Sequence, residues 1–150
     1  MPVFRYLEDL QVGEKLQTAA VTLTEADILE FARRYDPQPM HADPEAAAGG
    51  PFQELIASGW HTAALVMRMT VDANPLGDLP LLGLGVDGIE WPQPVYPGDT
   101  IQVEIEVQAI RPSQSRPTHG IVKLKTTARN QHGEVVFIVT PNCWVPRRPP

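Results

Sequence analysis

The amino-acid sequence predicts an α+β fold in which a curled antiparallel sheet wraps around one buried helix. Segment 58–73, SGWHTAALVMRMTVDA, is apolar on nearly every side, which is typical of a buried helix. The later segments 99–110 and 120–130 alternate apolar and polar residues, as half-buried antiparallel strands do. Because helix-forming and strand-forming segments are segregated along the chain, an α+β architecture is favoured.

The helical region is predicted from capping and breaking residues. Thr24 is a candidate N-cap with Asp27 three residues later, the spacing of a capping box. The helix that follows is expected to stop at about residue 35, because Pro37 disfavours further helical turns. Asp43 is a candidate N-cap for a short helix that ends at the glycine pair 49–50. Asp36 is therefore placed at a helix end.

The remaining strands are predicted on either side of this helical region. Segment 14–23, EKLQTAAVTL, is expected to form the first strand. Segment 81–95 is predicted as a strand loosened by glycines, and segment 134–145 as a more fully apolar strand. The Pro-Gly pair within 96–99 and the segment NQHGE predict turns.

Length and composition limit the classes of protein to consider. The 150 residues, 43% hydrophobic and 20% charged, suit one globular domain over 1–150, with residues 146–150 expected to fray. A net charge of −6 argues against nucleic-acid binding, which needs clustered Lys and Arg. The single cysteine, Cys143, excludes an internal disulfide, and no Cys/His spacing indicates a metal site. The sequence has no apolar run long enough to predict a signal peptide or a membrane-spanning segment, so we expect a cytoplasmic protein without a membrane partner.

The stretch YDPQPMH places a carboxylate, Asp36, five positions before an imidazole, His41. Pro37 and Pro39 stiffen the link between them, which suits two groups that converge on one small target. The alternative interpretation is that Asp36 is only a helix-end residue and His41 only a structural histidine. The rigid spacing favours a functional pair.

Three stretches resemble one known family, the MaoC-like hotdog-fold dehydratases, which include (R)-specific enoyl-CoA hydratases. They are FARRYDPQPMHADPEAA, PFQELIASGWHTAAL and WPQPVYPGDTIQVEIEV. The resemblance spans essentially the whole chain and implies a single hotdog fold. Two residues depart from the family pattern: Gln38 stands where the family has Asn, and Trp60 where it has Met or Leu. The first departure bears on a hydrogen bond at the site, and the second on acyl-chain preference.

The resemblance implies reversible addition of water to a trans-2-enoyl-CoA, giving an (R)-3-hydroxyacyl-CoA. It implies Asp36 and His41 as the acid/base pair and the Gly59 N–H as the donor to the thioester oxyanion. Elementary physics supports this last role, because the first N–H groups of a helix are unpaired and glycine lets a ligand approach closely. No metal or redox cofactor is implied, since coenzyme A arrives as part of the substrate. A homodimer joined through sheet edges is expected.

Further substrate contacts are predicted at Ser58, Trp60, Arg111 and Arg116. Ser58 is either a plain N-cap or a pocket residue, and Trp60 lines the acyl tunnel or packs in the core. His61 is expected to be a hydrogen-bonded core or interface residue, with pocket lining as the alternative. Arg111 and Arg116, in the loop RPSQSRPTHG, either meet the phosphates of coenzyme A or are merely solvated. Two alternative functions remain open, a hotdog acyl-CoA thioesterase and a non-catalytic acyl-CoA-binding domain.

Overall fold

A computed structural model describes residues 1–150 and contains one antiparallel sheet and four α-helices. The strands are β1 (Lys15–Gln17), β2 (Val21–Thr22), β3 (Leu82–Glu90), β4 (Thr100–Pro112), β5 (His119–Arg129) and β6 (Val135–Pro146). The helices are α1 (Glu25–Tyr35), α2 (Pro39–Ala42), α3 (Pro44–Ala48) and α4 (Gly59–Ala73). The predicted α+β class is confirmed.

The sheet has the order β1-β4-β5-β6-β3, and β2 also pairs with β4. The predicted first strand over 14–23 is therefore two short strands on the same neighbour. Thr18 lies at the break between them, where its hydroxyl accepts a hydrogen bond from the Val103 N–H at 3.1 Å. That side-chain bond replaces a backbone ladder bond, so regular pairing is interrupted. β1 and β3 lie at opposite edges of the sheet.

The core lies between the sheet and α4. The alternation predicted for β4 and β5 is confirmed over 101–107 and 122–128, where every second residue is buried: Ile101, Val103, Ile105, Val107, Val122, Leu124, Thr126 and Ala128. Val66 and Met69 of α4 belong to the same buried cluster. Each fully buried side chain of this kind contributes about 1.5–3 kcal/mol of transfer free energy.

Within the single chain, the predicted burial of α4 covers one side of the helix. One face is buried, through Thr62, Val66, Met69 and Thr70. Met67 and Val71, on the other side, are about half exposed, at 50% and 49%. An open sheet covers only one side of a helix, so the apolar residues on the opposite side of α4 remain uncovered.

The segment that carries the acid/base pair is built from short capped helices. Thr24 and Asp27 form the predicted capping box at the start of α1, and Ile28 and Ala32 are fully buried beneath it. Asp36 is the C-cap residue. The stiff link then forms a helical turn, α2, rather than an extended segment, because Pro39 suits the first position of a helix.

The C-terminal end is ordered further than predicted. We expected residues 146–150 to fray, but Pro146 ends β6 and the Arg147 N–H donates to the Thr118 carbonyl at 2.8 Å. Arg147 and Arg148 form ion pairs with Glu8 and Asp9. These contacts tie the end of β6 to the N-terminal segment. None of the four helices has the length and apolar character that crossing a membrane requires.

Candidate active site

Asp36 and His41 meet in a cavity of about 480 Å³ at the N-terminal end of α4. The cavity lies between the α1–α2 segment, the start of α4 and the segment that follows β3. Its walls are mainly apolar and aromatic, and its polar side chains are few. The lining residues are Asp36, Gln38, His41, Phe52, Ile56, Ala57, Gly59, Trp60, Thr62, Trp91, Pro92, Gln93, Pro94 and Val95.

The His41 ring is buried, with 5% of the residue exposed, and its orientation is set by a backbone carbonyl. Nδ1 lies 2.8 Å from the Ile56 oxygen. Because a carbonyl oxygen only accepts, Nδ1 carries the proton, and in the neutral ring Nε2 then holds the lone pair. The Ile56 N–H in turn donates to the Met40 carbonyl at 3.1 Å, which ties the two segments together. The tautomer thus leaves a basic nitrogen facing the cavity.

Asp36 faces that nitrogen, with 3.6 Å between Oδ2 and His41 Nε2. The Ser58 hydroxyl donates to Oδ2 at 2.6 Å, and the Gln38 amide donates to Oδ1 at 2.7 Å. These two hydrogen bonds, Ser58 first, and then the nearby His41 hold the pKa of the Asp36 carboxyl below its ordinary value of 3.8. Asp36 is therefore ionised at neutral pH.

Gln38 is the residue that departs from the family pattern at this site. The Gln38 amide reaches the carboxylate directly, since its Nε2 lies 2.7 Å from Asp36 Oδ1. The substitution of Asn by the longer Gln is therefore compatible with a hydrogen bond to the acid/base pair. It also places an amide in the cavity wall.

Ser58, for which a substrate contact is predicted, does not line the cavity. Its side chain is fully buried behind the wall, at 0% exposure. There it caps α4 by accepting from the Trp60 N–H at 3.3 Å, while its own proton goes to Asp36. Burial of a hydroxyl is tolerated because it both donates and accepts. The Ser58 hydroxyl thus orients the Asp36 carboxylate.

Gly59 opens α4 and lines the cavity, as expected. Its N–H has no acceptor within the chain, because it is the first N–H of the helix. The Trp91 indole lies directly against it: a Cβ built on Gly59 would be 2.8 Å from ring atoms Cε2 and Nε1. Position 59 therefore has room only for glycine while Trp91 keeps this place.

Trp60 forms part of the cavity wall and is 60% exposed, so it does not pack in the core. Its ring meets Trp91 edge to face, with 5.2 Å between centroids. His61 points to a different part of the surface and stacks on Phe31, with 4.7 Å between centroids. The expectation of a hydrogen-bonded His61 is wrong at Nδ1, which is buried without a partner.

Arg111 and Arg116 are not brought to this cavity. Val95, shortly before β4, lines the cavity, whereas Arg111 comes near the far end of that 13-residue strand. At about 3.3 Å per residue, Arg111 lies roughly 35 Å from the strand's start. Arg116 follows in the loop between β4 and β5. Within one chain these two arginines therefore lie at the opposite end of the sheet from Asp36 and His41, and neither lines the cavity.

Sequence reasoning missed several residues of the site, among them Phe52, Ile56 and Trp91. Ile56 acts through its backbone carbonyl, which no side-chain pattern reveals. Trp91 carries a weak signal, an aromatic residue before proline at the end of a predicted strand. Phe52 has no signal beyond its apolar character. No group of three or more His, Cys, Asp or Glu side chains is arranged to hold a metal ion.

Comparison with known proteins gives consistent matches over most of the chain. The family model described as "MaoC like domain" matches residues 9–130. The crystal structure of a MaoC-like dehydratase from Rhodospirillum rubrum is 46% identical, with a TM-score of 0.87 over 97% of this chain and 99% of that chain. R-hydratase PhaJ1 from Pseudomonas aeruginosa is 28% identical, with a TM-score of 0.78 over 97% of this chain and 88% of that chain. The 3-hydroxyacyl-thioester dehydratase Z of Mycobacterium tuberculosis is 35% identical over 107 residues, 68% of this chain and 71% of that protein. These superpositions confirm the hotdog fold.

Proposed function

Because the chain belongs to the MaoC-like domain family, whose members include hydratases and dehydratases, we propose that it hydrates trans-2-enoyl-CoA thioesters reversibly to (R)-3-hydroxyacyl-CoA thioesters. The observation that carries the proposal is the Asp36–His41 pair. Two proton acceptors, Oδ2 and Nε2, lie 3.6 Å apart at the edge of a largely apolar cavity. That spacing lets one water molecule donate a hydrogen bond to each of them.

The pair accounts for both proton transfers of the reaction. As the water oxygen bonds to the β-carbon of the enoyl group, Asp36 and His41 take one of the water's protons. The same pair then returns a proton to the α-carbon, so that one molecule of water is added in total. In the reverse direction the pair removes the α-proton and protonates the departing hydroxyl. No other titratable group lines the cavity.

The charge that develops on the thioester oxygen needs a donor that is already in place. The free N–H of Gly59 opens a 15-residue helix, and the helix dipole favours negative charge there. A glycine at this position lets the thioester approach the backbone closely. The Gly59 N–H is therefore the proposed oxyanion donor.

The (R) configuration and the thioester substrate are supported by the relatives. One structural neighbour is named an R-hydratase, and one sequence relative is named a 3-hydroxyacyl-thioester dehydratase. Aromatic and apolar cavity walls, including Phe52, Trp60 and Trp91, suit an acyl chain.

A homodimer is part of the proposal, and the uncovered surfaces of the chain support it. β3 is an edge strand, with β6 as its single neighbour in the sheet. Its Leu82, Leu84 and Val86 are more than half exposed. Pairing β3 with the β3 of a second copy would satisfy the edge and extend the sheet, and would bring apolar cover near the exposed side of α4.

Incubation with crotonyl-CoA tests the reaction class. Hydration removes the absorbance of the conjugated alkene without releasing thiol, and this is the expected result. Release of free coenzyme A thiol with the alkene intact would instead identify a thioesterase. Binding of crotonyl-CoA with neither change would identify a non-catalytic acyl-CoA-binding domain.

A further inference from the structure

Trp91 follows the last residue of β3 and precedes Pro92, which restricts its backbone to extended conformations. Its ring is held from two sides. Trp60 meets it edge to face, and the buried Phe137 packs against it with 5.8 Å between centroids. The indole is therefore fixed in place at the wall of the cavity, not free to rotate in solvent.

The fixed indole begins a chain of three hydrogen bonds that ends on the acid/base pair. Trp91 Nε1–H donates to the Gly59 carbonyl at 2.8 Å. The N–H of the next residue, which belongs to the same planar peptide, donates to Ser58 Oγ at 3.3 Å. The Ser58 hydroxyl donates to Asp36 Oδ2 at 2.6 Å. Donors and acceptors alternate in one direction from the indole to the carboxylate.

We propose that Trp91 is a positioning residue that acts on Asp36 through the Gly59–Trp60 peptide and the Ser58 hydroxyl. A hydrogen bond from the indole N–H to the Gly59 carbonyl polarises the Gly59–Trp60 peptide. The N–H of that peptide then becomes a stronger hydrogen-bond donor. A stronger bond onto Ser58 Oγ makes the hydroxyl a better donor in turn. Trp91 thereby holds Asp36 Oδ2 toward His41 and stabilises its ionised form.

The same contact explains why position 59 carries no side chain. A Cβ at Gly59 would lie 2.8 Å from the indole Nε1, so the ring would have to leave the carbonyl. Glycine at 59 is thus required by Trp91 as well as by the approach of a thioester. The chain of hydrogen bonds and the proposed oxyanion donor share one helical turn.

The kinetic consequence of this inference rests on the proposed function, whereas the titration of Asp36 does not. The test therefore begins without substrate. The carboxyl ¹³C signal of Asp36, assigned by its loss in Asp36→Asn, is followed against pH in wild type, Trp91→Phe, Ser58→Ala and the double variant. Trp91→Phe keeps an aromatic ring and deletes the N–H donor.

The sign of the expected shift follows from the hydrogen bonds. The pKa of Asp36 is lower in the folded protein than in the unfolded chain. The ionised carboxylate therefore stabilises the folded protein at any pH above the unfolded-state pKa. This stabilisation is lost as the pH falls through the folded-state pKa. Ser58→Ala removes the largest cause and moves the Asp36 pKa up toward 3.8. Trp91→Phe should move it part of the way in the same direction. The Asp36 pKa in the double variant should equal that in Ser58→Ala, because the series of hydrogen bonds is already interrupted at residue 58.

Trp60→Phe is the matched control. It removes an indole N–H from the same wall, but the Trp60 indole N–H donates to no group of the chain, so the Asp36 titration should not move. If Trp91→Phe unfolds the protein, a benzothienylalanine at position 91 keeps the indole shape and replaces N–H by sulfur.

Kinetics provide the second measurement. With an enoyl-CoA substrate, Trp91→Phe should lower kcat about three- to tenfold, the loss expected for one neutral hydrogen bond, with a smaller change in KM. A folded Trp91→Phe or benzothienyl variant with the wild-type Asp36 titration would overturn the inference. An equal shift in Trp60→Phe would also overturn it, because it would show a general effect of the aromatic wall. Absence of hydration in wild type would count against the proposed function alone.

Discussion

Asp36 and His41 face one small volume of the cavity, so in the proposed reaction removing either group should disable the proton transfer that the two share. Asp36→Asn and His41→Ala should each lower kcat about 10²- to 10⁴-fold while the fold stays intact. The double variant should be little worse than either single one, because groups that act as a unit are not additive.

Circular dichroism checks the fold of each variant, and hydration of an enoyl-CoA measures kcat. His132→Ala, an exposed histidine in the turn before β6, is the control for loss of an imidazole and should keep wild-type turnover. A single Asp36 or His41 variant with near wild-type turnover would remove that residue from the mechanism.

Gly59 needs a test that adds no atoms, because alanine or proline at 59 would place a Cβ against Trp91. Replacing the 58–59 peptide bond by an ester, through glycolic acid at position 59, deletes the N–H alone. If this N–H is the oxyanion donor, kcat should fall about 10²- to 10³-fold with the fold unchanged. The matched control is an ester at an exposed loop glycine, Gly133, which should leave kcat unchanged. Full turnover in a folded Gly59 ester would place the oxyanion site elsewhere.

At the scale of elements, α4 supplies both core and site. Its buried face completes the apolar cluster, and its first turn carries Gly59 and the capping residue Ser58. α1 delivers Asp36 at its C-terminal end, where the capped and buried helix leaves the carboxylate little freedom. Asp36 is therefore positioned by the end of α1, and His41 by the short helix α2 and the Ile56 carbonyl.

Trp60 projects from the first turn of α4 into the cavity wall, so its ring volume limits the space for an acyl chain. Trp60→Leu should extend the range of enoyl-CoA chain lengths that are hydrated, because apolar space opens where the ring lay. The melting temperature should change little, since the residue is 60% exposed. A panel of enoyl-CoA substrates of graded length measures the profile.

Val71→Leu, on the same helix and outside the cavity lining, is the control and should keep the wild-type profile. An unchanged profile in Trp60→Leu would show that this ring does not set chain length.

At the scale of the whole molecule, β3 and one side of α4 both expose apolar side chains. An edge strand with exposed leucine and valine is prone to pair with another strand. We therefore expect a C2 dimer in solution, with a mass twice the 16.5 kDa of one chain. Each cavity would then be bordered by both subunits.

Light scattering measures this mass directly. Leu84→Lys should shift the equilibrium toward monomer, because like charges would face each other across the two-fold axis. Val12→Lys is the control, since Val12 is also exposed but lies beside β1, at the other edge of the sheet. A monomeric wild type with full activity would contradict the dimer.

Several features of the fold and site were predictable because their causes are local in the chain. The alternation of β4 and β5, the capping box of α1 and the start of α4 at Gly59 all follow from spacings within about ten residues. The same holds for the proximity of Asp36 and His41, which a short proline-stiffened link enforces. The hotdog fold followed from the resemblance of three stretches to one family.

The sequence by itself thus determined the α+β class and the element order, and it predicted that Asp36 and His41 form a pair. Only the tertiary structure decided the tautomer of His41, the role of Ser58 and the contact of Trp91 with Gly59. These rest on hydrogen bonds between residues 15, 22 and 32 positions apart, respectively. It also decided that Arg111 lies far from the cavity, because the length of β4 separates them. Such contacts depend on how elements distant in the sequence pack against each other, and the spacing of residues within one segment does not predict that packing.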